Sequence, residues 1–280
     1  MSSSSADLFS IRGKSILLTG AAGYLGRALG RTALENGAHL IAISRPGRLQ
    51  EQVAEWKKEF GDDSVAGYSV DMYDIEALSA LLDRIVTEMP FIDVIVNNAH
   101  EMGPMTGFNS AEGRLENASA EQWMRHLTAA AYWPALVCQK LGEAMKAHHR
   151  GSIINISTVY ALVAPSPHLY EGTSFHNPPG YSAGKAAMLA LTRYLASFWG
   201  SYGIRANAIL PGPFSNTEDV SAPNAVRGED PFLDRLRART CLGRIGRAGE
   251  LSGPFLFLAS DASSYVTGQA LSVDGGWTVV

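Results

Sequence analysis

The sequence predicts an α/β fold, a single-domain doubly wound parallel sheet with helices on both faces. Three observations carry this. Short apolar runs alternate with segments of helical period through most of the 280 residues, and that alternation builds parallel sheets with right-handed crossovers. A glycine-rich turn, Thr19-Gly-Ala-Ala-Gly-Tyr-Leu-Gly26, joins the first apolar run to the first helical segment. No internal repeat or linker divides the chain, so residues 1–280 read as one domain.

Each element follows from its pattern. Ser15–Thr19 reads as the first strand, and Tyr24–Asn36 as a helix stopped by Gly37. His39–Ser44 is a second strand, Gln50–Glu59 a helix and Val65–Val70 a third strand. Asp74 is placed to N-cap a helix over Ile75–Glu88, because a short acidic side chain can accept from a free N–H of the first turn. Val94–Val96 is a short buried strand, and Glu121–His149 is helical with an interruption expected near Pro134. Ser152–Ser157 is the next strand and Tyr181–Trp199 the next helix. Ile204–Leu210 and Ala270–Val273 complete the strands, with a helix over Leu251–Ala259 between them. Residues 1–12 read as a polar tail. His100–Ser119, Leu162–Gly180 and a lid over 213–242 read as loops leaving the carboxyl ends of strands, where open parallel sheets bind ligands.

Composition narrows the function classes. A formal net charge of −4 argues against a nucleic-acid surface. The two cysteines, Cys138 and Cys241, have no metal-ligand spacing, so no metal site is expected. Met1–Ala6 has neither the basic nor the apolar signature of a secretory leader, and no apolar run reaches the roughly 20 residues that span a bilayer. The expectation is a cytoplasmic protein with a small-molecule substrate and neither membrane nor nucleic-acid partners.

Chemistry concentrates in four motifs. Tyr181-Ser-Ala-Gly-Lys185 places a phenol and an ammonium one helical turn apart. Before it come the glycine turn, Asn97-Asn98-Ala99, and Gly151-Ser-Ile-Ile-Asn-Ile-Ser-Thr158. With these motifs in this order, the chain resembles the short-chain dehydrogenase/reductase family from about Gly13 to Trp277. The resemblance implies a Rossmann-like fold and an NAD(P)(H)-dependent interconversion of a secondary alcohol and a ketone. It is nearest the compact branch, with a glycine pattern more like the extended branch, because Tyr24 stands where the compact pattern has its middle glycine.

In the cofactor region, Gly20, Gly23 and Gly26, with Tyr24 and Leu25, form a turn that lets backbone N–H groups approach a pyrophosphate at the helix N-terminus. The second strand ends Ser44-Arg45, with Arg48 following and no acid in the window. An acid there would bind a ribose 2′-hydroxyl and repel a 2′-phosphate, so NADP(H) is favoured over NAD(H). By resemblance, Asp71 reads the adenine with Met72 beside it, Asn98 and Ala99 line the adenine ribose, and Pro211 and Gly212 close the cofactor site. Where the family has Gly after that Asn-Ala pair, this chain has His100.

By the same resemblance, Tyr181 passes the proton and Lys185 holds the nicotinamide ribose; an ammonium beside the phenol is expected to lower its pKa. The family's catalytic hydroxyl falls on Thr158, with Ser157 as fallback, since neighbouring strand residues face opposite ways. The family's Asn on the long helix is replaced by Ala130, with His126 one turn earlier. His100, Glu101, His168, Tyr170, Glu171 and His176 are polar candidates for a hydroxyl-rich substrate. The Tyr170-Glu-Gly and Asn177-Pro-Pro-Gly-Tyr181 segments are similar to a bacterial subgroup that modifies sugars. Two alternatives stand beside the dehydrogenase: an epimerase or dehydratase that retains its cofactor, and a non-catalytic cofactor-binding sensor. Apolar residues around the Tyr181–Trp199 helix (Ala187, Met188, Leu191, Tyr194, Leu195, Phe198, Trp199), the Glu121–His149 helix and the Gly275-Gly276-Trp277 segment predict a homotetramer.

Overall fold

The structure is a computed structural model that describes residues 5–89, 91–215 and 230–280. Seven parallel strands form one sheet: β1 (Ser15–Thr19), β2 (His39–Ser44), β3 (Val65–Ser69), β4 (Val94–Asn97), β5 (Gly151–Ile156), β6 (Ile204–Pro211) and β7 (Ala270–Val273). Their order is β3-β2-β1-β4-β5-β6-β7. The chain winds outward from β1 to β3, then returns to β4 on the other side of β1. A crevice opens at that reversal, above the carboxyl ends of β1 and β4.

The strands are apolar on both faces because helices cover both. On one face Leu17, Ile41, Ile95 and Ile153 meet Leu78, Leu82 and Ile85 of α4 (Ile75–Glu88), Val137 and Leu141 of α6 (Trp133–Ala147), and Leu195 and Trp199 of α7 (Pro179–Trp199). On the other, Ile16, Leu18, Leu40, Val94 and Val96 meet Leu29 and Ala33 of α2 (Tyr24–Glu35), Leu49 and Trp56 of α3 (Arg48–Phe60), and Phe255 and Leu258 of α9 (Ser252–Ala259). Ile16, Leu17 and Leu18 thus alternate between two cores. Each fully buried Leu, Ile or Phe is worth about 1.5–3 kcal/mol. Arg31, half-exposed, pairs with Glu35 and Glu59, and such surface pairs are worth about 1 kcal/mol or less. The two cores therefore hold the fold. A third, smaller cluster sits beyond the strand ends: Val159, Leu169, Tyr170, Leu233, Leu236 and Trp277.

Several expectations need correction. The described part of the tail, residues 5–12, is anchored: Ser5–Leu8 is a helical turn, α1, Ile11 is fully buried, and the Phe9 ring lies 6.4 Å from that of Phe257. The long helix is two helices, α5 (Ala120–Leu127) and α6, joined by a π-helical turn over Thr128–Tyr132. The irregular turn comes before Pro134 because proline has no N–H to donate to the carbonyl four residues back. The 213–242 segment, expected as a loop, contains a helix, α8 (Pro231–Ala238), whose N-cap Asp230 accepts from Phe232 N at 2.9 Å; residues 216–229 of it lie outside the described residues. On α7, Met188, Leu195 and Trp199 are buried within the core, leaving Tyr194 and Phe198 as the exposed aromatic pair. Trp277 is also buried and offers no outer contact.

Candidate active site

The glycine turn lies at the carboxyl end of β1. Gly20 has φ +69°, a left-handed conformation that glycine adopts without strain. A Cβ on Gly26 would stand 2.1 Å from the Gly20 carbonyl oxygen, so only glycine lets the helix start this close to the strand end. Gly23 is the N-cap of α2 and supplies no side-chain cap, which leaves the first-turn N–H groups available to an anion. Tyr24 and Leu25, half-buried, open that helix.

Asn98 and Ala99 are tied to this turn. Asn98 Nδ2 donates to the carbonyls of Thr19 at 3.0 Å and Gly20 at 3.2 Å. Thr19 Oγ1 accepts from the backbone N–H groups of both Asn98 and Ala99, each at 3.1 Å. The Asn98 side chain therefore holds the turn in shape. Sequence reasoning singled out Asn98 but missed Thr19, whose hydroxyl at the strand end was the available signal. At the end of β2, Ser44 is buried, while Arg45 and Arg48 are exposed and have no ion pair among the described residues. Asp71 is exposed, with Oδ1 accepting from Tyr73 N at 3.0 Å. The Met72 side chain beside it packs into the core. Pro211 ends β6, and Gly212 is needed for packing: a Cβ there would lie 2.7 Å from Asp274 Cα. Because every strand is parallel, all of these residues share one edge of the sheet.

At β5 the strand alternation separates the two hydroxyls. Ser157 Oγ donates to the Lys185 carbonyl at 3.0 Å and so faces α7. The Thr158 hydroxyl lies close enough to the Tyr181 phenol to favour its ionised form, and its Oγ1 accepts from Tyr160 N at 3.4 Å. Lys185 is buried, and its Nζ donates to the Ile156 carbonyl at 2.7 Å. The expected lowering of the Tyr181 pKa by Lys185 is not what the geometry produces. Burial pushes the phenol up to about 12, the Thr158 hydroxyl pulls it back in part, and Tyr160 adds to the rise. Burial also brings the Lys185 ammonium down to about 7. The lysine is turned to a backbone carbonyl rather than to the phenol.

Ala130 lies in the π turn, fully buried against Gly184 of α7; a Cβ on that glycine would stand 3.0 Å from the Ala130 Cβ. His126 is buried too, with Nε2 2.9 Å from the Thr106 carbonyl and Nδ1 3.2 Å from His100 Nε2. The His100 ring meets the Tyr181 ring edge-on at 5.1 Å. The other polar candidates divide. Glu101 pairs with Arg125 at 2.9 Å, and His168 pairs with Glu171 at 2.6 Å, both of the latter side chains being exposed. Tyr170 does approach the site: its Oη is 3.4 Å from that of Tyr160, and the His176 ring lies 4.4 Å from its own. Arg235 of α8 clamps this loop, donating to the Leu169 carbonyl at 2.8 Å and the Glu171 carbonyl at 2.7 Å. Among the described residues there is no cluster of three His, Cys, Asp or Glu side chains able to hold a metal, and no helix is long and apolar enough to cross a membrane.

Comparison with known proteins agrees with this geometry. A family model described as enoyl-(acyl carrier protein) reductase matches residues 20–278. The 2-dehydro-3-deoxy-D-gluconate 5-dehydrogenase of Escherichia coli is 31% identical over 274 residues, covering 96% of this chain and 97% of that protein. The gluconate 5-dehydrogenase of Gluconobacter oxydans is 31% identical over 281 residues, covering 98% of each. Among solved structures, a gluconate 5-dehydrogenase from Burkholderia cenocepacia, in complex with NADP and tartrate, superposes with a TM-score of 0.80 at 29% identity, covering 98% of both chains. With the parallel sheet, the glycine turn and the Thr158, Tyr181 and Lys185 cluster arranged as described, the chain belongs to the short-chain dehydrogenase/reductase family of nicotinamide-dependent oxidoreductases.

Proposed function

We propose that this enzyme interconverts a secondary alcohol and a ketone on a polyhydroxylated small molecule, a sugar acid or polyol, with NADP(H) preferred over NAD(H). The observation that carries the reading is the Thr158 hydroxyl set against the Tyr181 phenol, with Lys185 buried one helical turn on, at the open carboxyl edge of the sheet. The cofactor region fits a dinucleotide: α2 starts without a side-chain cap, a Cβ would fill the cradle at Gly26, and exposed Arg45 and Arg48, with no ion pair among the described residues, stand ready for a 2′-phosphate. Gly20, Gly23, Tyr24, Leu25 and Gly26 would hold the pyrophosphate, Ser44 and Arg45 the 2′-position, and Asp71, Asn98, Ala99, Pro211 and Gly212 the remaining edge. The nicotinamide, when bound, supplies or accepts the hydride.

The chain's own residues handle the proton. In the reducing direction Tyr181 Oη gives its proton to the carbonyl oxygen as that oxygen gains charge, and is reprotonated from solvent. The Thr158 hydroxyl orients the phenol and the substrate oxygen. Lys185, buried one helical turn beyond Tyr181, would hold the nicotinamide ribose. Tyr160, Tyr170 and His176 offer hydroxyl and imidazole groups to substrate hydroxyls. Relatives that act on sugar acids support the substrate class. The test is a panel of polyols and sugar acids with each oxidised cofactor, followed by nicotinamide absorbance. Net turnover with NADP sustains the proposal, whereas tight cofactor binding without turnover on any member replaces it with a sensor.

The exposed pair Tyr194 and Phe198, stacked at 5.4 Å, supports a homotetramer. Light scattering decides it: a mass near the 30.0 kDa of one chain would leave a monomer. The exposed free thiol of Cys241 supports a reducing, cytoplasmic setting.

A further inference from the structure

The arginines of α8 and of the turn that follows it are mostly committed. Arg235 donates to the Leu169 and Glu171 carbonyls, Arg237 pairs with Asp234, and Arg244 makes two bonds of 2.7 Å to the Glu250 carboxylate. Arg239 differs. Its guanidinium lies over the Trp277 ring, 5.9 Å from the ring centre, and meets no carboxylate and no carbonyl among the described residues. Complementing the carbonyl end of α8 does not account for it, because Arg235 and Arg237 already stand in the last turn of that helix.

The stacking leaves the right atoms free. A cation within about 6 Å of an aromatic centre is attracted to the ring face. A guanidinium held by its flat face keeps its N–H donors in the plane, in the fork that matches a carboxylate. Trp277 is buried in the small cluster beyond the strand ends, so the surface under Arg239 is rigid. The acids nearby are taken: Asp234 by Arg237, Glu250 by Arg244, and Asp274 by the Gly276 and Thr278 N–H groups.

Direct contacts lead from Arg239 to the catalytic hydroxyl. Trp277 meets the Tyr160 ring edge-on at 6.2 Å. The Tyr160 N–H donates to Thr158 Oγ1 at 3.4 Å, and its phenol lies 3.4 Å from that of Tyr170. Burial raises the Tyr160 pKa, while the Tyr170 hydroxyl and the Arg239 charge draw it back. Arg239 thus ends a row, Thr158, Tyr160, Trp277, that begins at the reacting oxygen. An open-chain sugar acid has the same layout: a carbinol that reacts, hydroxyls along the chain, and a carboxylate at one end. We infer that Arg239 receives the carboxylate of such an acid and selects it over the neutral polyol of the same configuration. This rests on the substrate reading given above and narrows it.

The test pairs each acid with its alditol: D-gluconate with D-glucitol, and D-galactonate with galactitol. Steady-state kinetics with NADP are run on the unmodified protein, on Arg239→Met, which keeps a long stem on Trp277 without the charge, and on Arg239→Lys. Arg239 is exposed, so neither variant opens the core. Calorimetry measures binding of the same four compounds to the NADP-loaded protein in a Tyr181→Phe background, with and without Arg239→Met. The unmodified protein should favour the acid of a pair at least about tenfold in kcat/KM. Arg239→Met should weaken the acid about 10- to 100-fold, the scale of a hydrogen bond to a charged group, through KM with kcat held and the alditol unmoved. Arg239→Lys should retain part of the preference. Equal use of acid and alditol overturns the inference, as does an acid preference unchanged in Arg239→Met, an equal loss of both compounds, or no binding of either acid. Acid binding that depends on Arg239, without turnover of any compound, would leave this site standing and remove the oxidoreductase reading. Turnover of an alditol alone, untouched by Arg239→Met, would do the reverse.

Discussion

The two halves of the cleft are held by different kinds of contact. At β1 and β4 the shape is set by main chain: Thr19, Gly20, Asn98 and Ala99 are laced together by bonds that each involve a backbone atom. At β5, α7 and the loops beyond, the shape is set by side chains packing on side chains. His100, Phe108, His126 and Tyr181 form one aromatic group, and Tyr160, Tyr170, Phe175, Phe232 and Trp277 another. Backbone lacing suits a region that must receive one invariant ligand. A wall of interchangeable side chains suits a region that must select one substrate among many.

Breaking the catalytic half should give the largest effect. Tyr181→Phe removes the proton donor and nothing else in the cofactor cradle; kcat should fall about 10²- to 10⁴-fold while cofactor affinity holds, as steady-state kinetics and cofactor titration will show. Near-normal turnover would detach this half from the chemistry.

Breaking the cofactor half should give the next largest effect. Arg45→Asp puts a negative charge where a 2′-phosphate is expected, and NADP(H) affinity should drop about 10- to 100-fold, with relative use of NAD(H) improved. Binding isotherms with both cofactors check this; an unmodified protein that already prefers NAD(H) refutes it.

A finer cut separates adjacent hydroxyls. Thr158→Ala should lower kcat about tenfold, the scale of one hydrogen bond, whereas Ser157→Ala, whose Oγ donates to the Lys185 carbonyl, should act mainly on stability. The reverse ranking in kinetics would transfer the role to Ser157.

The smallest effect sharpens the contrast through pH. Lys185 titrates at about 7 folded against an ordinary 10.5. Between these values the unfolded chain binds the additional proton, so this group's contribution to stability rises with pH across that window. Lys185→Met should flatten the slope, measured by denaturant unfolding at pH 7 and at pH 9. An unaltered slope would show that the lysine is solvated.

The strands and the glycine turn were legible because apolar periodicity and glycine spacing act through the nearest few residues. Strand alternation told only that Ser157 and Thr158 face opposite ways, as the Ser157 bond to the Lys185 carbonyl reflects; the preference for Thr158 came from the family resemblance. The pairing of Glu101 was not legible because its partner, Arg125, is 24 residues away and reaches it only once α5 has docked. The burial of Trp199 was misjudged likewise: an apolar residue on a helix does not declare which face its neighbours will cover. The effect of Lys185 on Tyr181 depended on which carbonyl the ammonium reaches, a matter of tertiary burial.

The Arg235 clamp carries a consequence for how this enzyme could change over generations. Its guanidinium grips two main-chain oxygens of the inserted loop, those of Leu169 and Glu171. Peptide oxygens are the same whatever side chains the loop carries. Mutations at His168, Tyr170 or Glu171 can therefore rewrite what the loop shows to a substrate while the anchorage of α8 persists. Change in the loop's side chains is uncoupled from the risk of detaching α8.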